Sequence, residues 1–163
     1  MCVENGGDMF NCCFIGKRSN LLPSSLEARS WDSSLDKLLQ SSYGTALFRA
    51  FLQKEYAEEN LDFVLRVERY RESQPKKRER EAWKIYRTYI AIGAHHELNL
   101  DILSRKVTEL AMITPHVSTF DTAQRRVVSL LQNDAYRRFL RWSVYLRLAY
   151  PEQYTGNEQE AEG

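Results

Sequence analysis

Apolar residues recur every three to four positions from about residue 31 to residue 150, a period that predicts helices nearly throughout. The clearest stripe is Ala82, Ile85, Tyr86, Tyr89 and Ile90, which predicts a helix over 76–91 with Lys77, Arg78, Glu79, Arg80 and Lys84 on its other faces. A second stripe, Leu100, Leu103, Val107 and Leu110, ends before Pro115. A third helix starts at Asp121, whose Asp-x-x-Gln spacing to Gln124 is a variant of the capping box, and continues through Ala123, Val127, Leu130 and Leu131. A further helix is predicted to begin near Asn133 or Asp134 and to use Tyr136, Phe139 and Leu140, with a short one over 144–150 before Pro151. Leu35, Leu38 and Leu39 mark a short helix after Trp31, and two longer segments cover 45–54 and 61–70. There is no period-2 run, no internal repeat and no sustained heptad. The fold class is therefore all-α, a bundle of around eight short to medium helices. Phe48, Phe51, Phe63, Trp83, Tyr86, Tyr89 and Phe139 fall at helical spacing and are expected in its core.

The polar interruption Glu55-Tyr56-Ala57-Glu58-Glu59-Asn60 stands out against this pattern. Like charges close together on one uninterrupted helix repel, so the segment is a candidate contact surface. Two other polar spots resemble it. Asn99 precedes the second stripe, and Asp134 sits at the predicted start of a helix. Either residue suits a helix cap. Together with 55–60 they also suit loop ends gathered at one pole of a bundle, where binding surfaces are often built.

Composition narrows the function class by exclusion. The 163 residues are enough for one domain, with 43% hydrophobic and 28% charged residues in an ordinary globular balance. A formal net charge of +1 lacks the basic excess of a general nucleic-acid binder. No apolar run approaches the roughly 20 residues that span a bilayer, and no secretory signal is visible. There is no phosphate loop, zincin motif or nucleophile elbow. His95 and His96 are adjacent and point apart on a helix, so neither metal nor cofactor is expected. The basic run 76–80 reads as a solvated helix start, with anionic lipid as the other reading. Cys2, Cys12 and Cys13 all lie ahead of the predicted core, which disfavours a disulfide scaffold and suits a reducing compartment.

Several motifs in order carry a family resemblance: Ser30-Trp31 with Leu35, Leu38 and Leu39; Tyr43-Gly44 with Leu47, Phe48, Phe51 and Leu52; Glu55 through Leu61 with Phe63; Asn99-Leu100-Asp101; Phe120-Asp121 with Ala123-Gln124; and Asp134-Ala135-Tyr136 with Arg138-Phe139-Leu140. Over residues 30–150 the chain resembles the regulator of G-protein signalling (RGS) domain, in the manner of small RGS proteins with little beyond it. The resemblance implies a bundle of about nine helices that binds the switch regions of a heterotrimeric G-protein α subunit and accelerates GTP hydrolysis there. The chain would then be a GTPase activator and not itself the hydrolase, acting as a monomer on a Gα of Gi/o or Gq type. Glu55, Tyr56, Glu59, Asn60, Asn99, Leu130, Asp134 and Arg138 are the Gα-binding positions it implies. Asn99 would reach the water-orienting glutamine, and Arg138 would also brace Asp134. A non-catalytic RGS-like scaffold is the alternative, which Asn60 and Asn99 argue against.

The chain departs from the family at three places. Ala57 and Ala135 stand where many relatives carry serine, and Val64 replaces a common tryptophan at a position expected in the core. Residues 1–29 are expected to be a flexible membrane-targeting segment and 151–163 a disordered acidic tail. Phe10, Phe14 and Ile15, with Lys17 and Arg18 behind, surround the three cysteines, which suits S-palmitoylation at Cys2, Cys12 and Cys13. Since one acyl chain holds weakly, two or three would keep the protein at the inner face of the plasma membrane.

Overall fold

The computed structural model describes residues 22–154. Nine α-helical segments lie among them: α1 Ser25–Ser30, α2 Leu35–Gln40, α3 Ser42–Lys54, α4 Glu58–Arg71, α5 Pro75–Ile85, α6 Ile102–Ala111, α7 Asp121–Leu130, α8 Tyr136–Phe139 and α9 Ser143–Ala149. The described residues contain no β-strand, and the all-α class expected from the sequence is borne out. The helix α1 lies across the expected boundary at residue 29, while Cys2, Cys12, Cys13 and the end of the acidic tail lie outside the described residues.

The helices fall into two units, one made of the chain's two ends and one of residues 48–141, with the division running through α3. In the terminal unit α1 packs on α9. Trp31 is almost fully buried there, stacked 6.3 Å from Tyr43 and tilted 6.5 Å from Tyr145, whose hydroxyl donates to the Ala28 carbonyl at 3.2 Å. Serines open the first two helices. Ser24 accepts from the Glu27 N–H and Ser34 from the Lys37 N–H, each at 3.1 Å. Gly44 is needed for close approach: a Cβ there would meet the Leu38 carbonyl oxygen at 2.7 Å and Leu38 Cδ1 at 2.9 Å.

In the central unit α4 packs on α5 and α7, and α6 packs on α7. Edge-to-face aromatic rings fill two layers. Phe139 sits 5.2 Å from Phe48 and 5.8 Å from Phe51, while Phe120 sits 6.3 Å from Phe63 and 5.2 Å from Tyr70. Val64 is buried, as expected for the tryptophan position it replaces. Trp83 is not part of this core. Ala82, Ile85 and Tyr89 take the inward stripe, and Trp83, about 100° round the helix from Ala82, is left half-exposed against Tyr86 and Arg87.

Two stretches depart from the regular helix. Residues Tyr86–Ile90 and Leu131–Ala135 form π-helical turns, closed by bonds from the Ala91 N–H to the Tyr86 carbonyl and from the Tyr136 N–H to the Leu131 carbonyl. The second turn joins α7 to α8 without a break, so 121–139 is one rod and no new helix begins at Asn133 or Asp134.

The Asp121–Gln124 pair does not form the expected capping box. Phe120 is the residue ahead of α7, and Gln124 is buried, its amide donating to Glu68 Oε1 at 2.7 Å. Arg71 donates to both Asp121, at 2.8 Å, and Gln124. The two side chains tie α7 to α4, a use that short-range spacing does not reveal.

The second predicted stripe is also inverted. Leu100 is buried ahead of α6, but Leu103, Val107 and Leu110 face outward, and the helix buries Ser104 and Thr108 instead. Their hydroxyls are satisfied within the helix: Ser104 donates to Asp101 at 2.7 Å and Thr108 to the Ser104 carbonyl at 2.8 Å, so burying them leaves no polar group unpaired.

Gly44→Ala tests the close approach in the terminal unit. Alanine gains about 1 kcal/mol of helix propensity, but the contact with a backbone carbonyl forces a shift typical of overpacking, roughly 1–3 kcal/mol. The expected net result is a lower urea midpoint at unchanged slope; a variant as stable as the parent would show that Leu38 and Trp31 yield freely.

Candidate functional site

The link between α3 and α4 is built from two helix ends back to back. The Ala57 N–H bonds the Leu52 carbonyl at 3.0 Å and the Tyr56 N–H bonds the Gln53 carbonyl at 3.2 Å, the paired bonds of a Schellman motif. The position that such a motif places in the left-handed region is most often glycine. Here it is Tyr56, with φ of +53°, and its side chain is 91% exposed. A bulky residue held in that region costs on the order of 1 kcal/mol and buries nothing in return. Ala57 follows as the residue ahead of α4 and has no side chain that can cap it. Stability alone favours glycine then serine at these two positions, so a local rule broken twice in succession makes this exposed loop a candidate for function.

The acids beside it have a partly structural explanation. Glu58 and Glu59 occupy the first turn of α4, where carboxylates are favoured by the free N–H groups and the helix dipole. The interruption is a helix boundary, so the charges do not crowd within one helix. Asn60 is half-buried and lies inside α4. Its amide nitrogen donates to the Ala57 carbonyl at 3.1 Å and to Glu59 Oε1 at 2.8 Å, which holds both side chains across the start of the helix.

Arg138 connects this loop to the rod. Its Nε and one terminal nitrogen grip the two oxygens of Glu55 at 3.0 and 2.6 Å, and its other terminal nitrogen bonds Asp134, one turn back. The bonds from Glu55 and then Asp134 raise the affinity of the guanidinium for its proton further above the ordinary arginine range. Thus Glu55, Asp134 and Arg138, 83 residues apart at the extremes, form one cluster.

Asn99 lies at the other end of the rod. It is exposed, at the apex of a tight turn closed by the Leu100 N–H on the Leu98 carbonyl at 2.9 Å, between two buried leucines. Asp101, not Asn99, caps α6, accepting from the Ser104 N–H at 2.8 Å. That bond and the Ser104 hydroxyl lower the Asp101 carboxyl below its ordinary range, and Arg126 of α7 stands 3.5 Å away. Asn99 is therefore free of capping duty. Asp134, in the middle of the rod, has none either.

Along the outer side of the rod Arg126, Leu130, Asp134 and Arg138 are spaced by four, spanning about 18 Å. In a plain α-helix each step of four drifts by about 40°. The π turn at 131–135 holds an extra residue and reverses part of that drift, keeping half-exposed Leu130 and exposed Asp134 on one side. The sequence reading missed this turn. Its signal was the inward set Val127, Leu131, Ala135 and Phe139, spaced strictly by four where a regular helix must alternate three and four. It also missed the Asp101–Arg126 pair.

The candidate site thus comprises Glu55, Tyr56, Glu59 and Asn60 on the α3–α4 link, Leu130, Asp134 and Arg138 on the rod, and Asn99 reached through Asp101 and Arg126. It contains no nucleophile–base pair, and no group of metal-ligating side chains occurs among the described residues. What the candidate site presents is an acidic, amide-bearing face held on helices, the kind of surface that suits contact with another protein. The sequence model of the regulator of G protein signaling domain matches residues 34–148. The chain is 41% identical over 124 residues to regulator of G-protein signaling 5 of Bos taurus, covering 76% of this chain and 68% of the relative. It is 40% identical over 128 residues to regulator of G-protein signaling 8 of Rattus norvegicus, covering 78% and 71%. The chain belongs to the regulator of G-protein signalling family, and with the family goes the activity expected from the sequence: activation of GTP hydrolysis on heterotrimeric Gα subunits.

Two measurements check the strained link. Tyr56→Gly and Ala57→Ser should each stabilise the fold by about 1 kcal/mol, by relief of the left-handed strain and by a new cap; a lower denaturation midpoint in either would contradict the reading of the link. Because the Asp101 carboxyl is lowered, its cap stabilises α6 fully above the ordinary aspartate range and is lost as pH falls through the lowered value. Asp101→Ala should therefore reduce stability at neutral pH and lose that difference in strong acid.

Proposed function

We propose that the face running from the α3–α4 link along the rod to Asn99 grips the switch loops of Gα and holds them as they stand in the transition state. Hydrolysis is done by the Gα partner, which carries its own arginine in cis, so the activator has no arginine to insert. What it supplies is differential binding: tighter contact with the transition-state arrangement than with the ground state. A hundredfold acceleration requires about 2.7 kcal/mol of such preference, within reach of a few hydrogen bonds made in a dry interface. Asn99 meets that need best. Its carboxamide is exposed, has no capping duty and sits on a turn fixed by buried Leu98 and Leu100, which is the observation that carries the assignment. Asn60 offers its remaining carbonyl oxygen, Glu55 and Glu59 accept from switch N–H and hydroxyl groups, and Leu130 excludes water. Arg138 acts through Glu55 and Asp134, which it positions, and Tyr56 projects from the link into the partner.

The same reading places the protein at the inner face of the plasma membrane through acylation of Cys2, Cys12 and Cys13, with a Gα of Gi/o or Gq type as partner. The apolar residues Phe10, Phe14 and Ile15 and the basic pair Lys17 and Arg18 around the cysteines support this. No helix among the described residues is long and apolar enough to cross a membrane.

Single-turnover GTP hydrolysis on a panel of Gα subunits tests the mechanism. Asn99→Ala is expected to lower the acceleration at least tenfold, or about 1.4 kcal/mol, with helicity unchanged. Asn60→Ala is expected to lower it by a smaller factor, since that amide also holds Glu59. Unaltered rates for both would remove the mechanism. Capture by GDP–aluminium fluoride Gα but not by GDP Gα is expected, and equal capture would favour a scaffold. Labelling with a clickable fatty acid should disappear when all three cysteines become serine.

A further inference from the structure

The outward face of α6 is the least expected surface in the central unit. Ile102 is 76% exposed, Leu103 72%, Leu110 67% and Ile113, just past the helix, 79%, with half-exposed Val107 between them. Single exposed aliphatics are ordinary; four on one helix with a fifth just beyond its end are not. The orientation is not that of a loosely held helix. Arg105, on the inward side, donates to Glu97 at 2.9 Å, to the Leu98 carbonyl at 3.2 Å and to the Ile90 carbonyl, and Ser104 and Thr108 are buried with their hydroxyls satisfied. Rotating α6 to hide its leucines would break the bonds of Arg105 to Glu97, Leu98 and Ile90.

We propose that this face is covered by the same face of a second copy of the chain, in an antiparallel helix pair about a two-fold axis. The row is short and self-complementary. In the register that sets Leu103 against Ile113 of the other copy, Lys106 lies opposite Leu110, and the other copy's Glu109 lies beside it. Lys106 is exposed in the middle of the aliphatic row and has no ion-pair partner among the described residues. The carboxylate of Glu109 flanks the row, with a 3.4 Å bond from the Tyr86 hydroxyl. The two-fold axis makes the Lys106–Glu109 pair twice, so the one cation in the apolar row and the acid at its edge become partners. A bilayer is the poorer occupant, because Asp101 just ahead of the row and Glu109 beside it are acidic and an anionic surface repels them. One pair of ten-residue helices buries less than a standard interface, so the dimer is weak and populated at the high local concentrations that a membrane-held protein reaches.

Sedimentation equilibrium of the full chain from low micromolar to near-millimolar concentration reads the association directly. A concentration-dependent dimer is expected, abolished by Leu103→Glu with Leu110→Glu, two exposed positions whose change leaves helicity intact. Lys106→Glu should weaken it about tenfold, and adding Glu109→Lys should restore it, because the swapped pair is again complementary. A monomer at every concentration overturns the proposal, as does an association indifferent to the leucine changes or a charge swap that fails to rescue. Loss of Gα activation, or of binding to phosphatidylserine vesicles, in a leucine variant whose parent is strictly monomeric would instead assign the row to that partner.

Discussion

The candidate site depends on one fork: Arg138 holding both oxygens of Glu55 while it also holds Asp134. As a source of stability the fork is minor. Both ends are partly solvated, and ion pairs so placed contribute roughly 1 kcal/mol at most. Its importance is geometric. The α3–α4 link has no cap from Ala57 and carries a strained tyrosine, so its own sequence holds it weakly. A bidentate guanidinium fixes both the position and the plane of the Glu55 carboxylate. The link is thereby referred to the rod 121–139, which is itself anchored by Phe139 between Phe48 and Phe51 and by Gln124 against α4. A contact surface that must recognise a transient arrangement of another protein's loops needs that rigidity more than it needs stability, since each loose side chain must be ordered again on binding.

The same separation of stability from positioning recurs at Asn99. Asp101 takes the capping bonds, Arg126 steadies Asp101, and Leu98 and Leu100 anchor the turn on either side. Asn99 is left with no internal duty. Where one residue both caps and contacts, improving one role compromises the other; here the roles lie two residues apart. At Asn60 they are combined, because the amide nitrogen closes the start of α4 and only the carbonyl oxygen remains for a partner. Substitutions at the two asparagines should therefore differ in kind, with stability and activity moving together at Asn60 and apart at Asn99.

Much of the helical framework was legible in the sequence because each helix buries a stripe whose period is set by backbone geometry alone. Ala82, Ile85 and Tyr89 are buried as that period requires, and so are Val127 and Leu131. Three features were not legible, each for a physical reason. The Asp121–Gln124 pair satisfies a local capping rule on paper, yet Arg71, 50 residues away, offers Asp121 a stronger partner. The break expected near Asn133 is bridged by a π turn, whose only trace is a run of fours among the inward residues. The Leu103–Val107–Leu110 stripe is a good helical pattern with its hydrophobic side outward, because Arg105 and the self-satisfied Ser104 and Thr108 fit the inward side better. Periodicity shows that a helix has two unlike faces. It does not show which one the rest of the fold can accept.

The exposed face of α6 and the candidate site share a boundary in sequence: Asn99 belongs to one and Ile102 begins the other, with Asp101 between. Asp101 caps α6 through the Ser104 N–H and pairs with Arg126, so the same carboxylate sets the direction of the helix bearing the aliphatic row and the placement of the turn bearing Asn99. A partner that shifted α6 by even a fraction of a turn would disturb that carboxylate and the turn beside it. Coupling between the two surfaces, if a second copy occupies one of them, therefore has a short physical route through Asp101 and does not need the rest of the bundle to move.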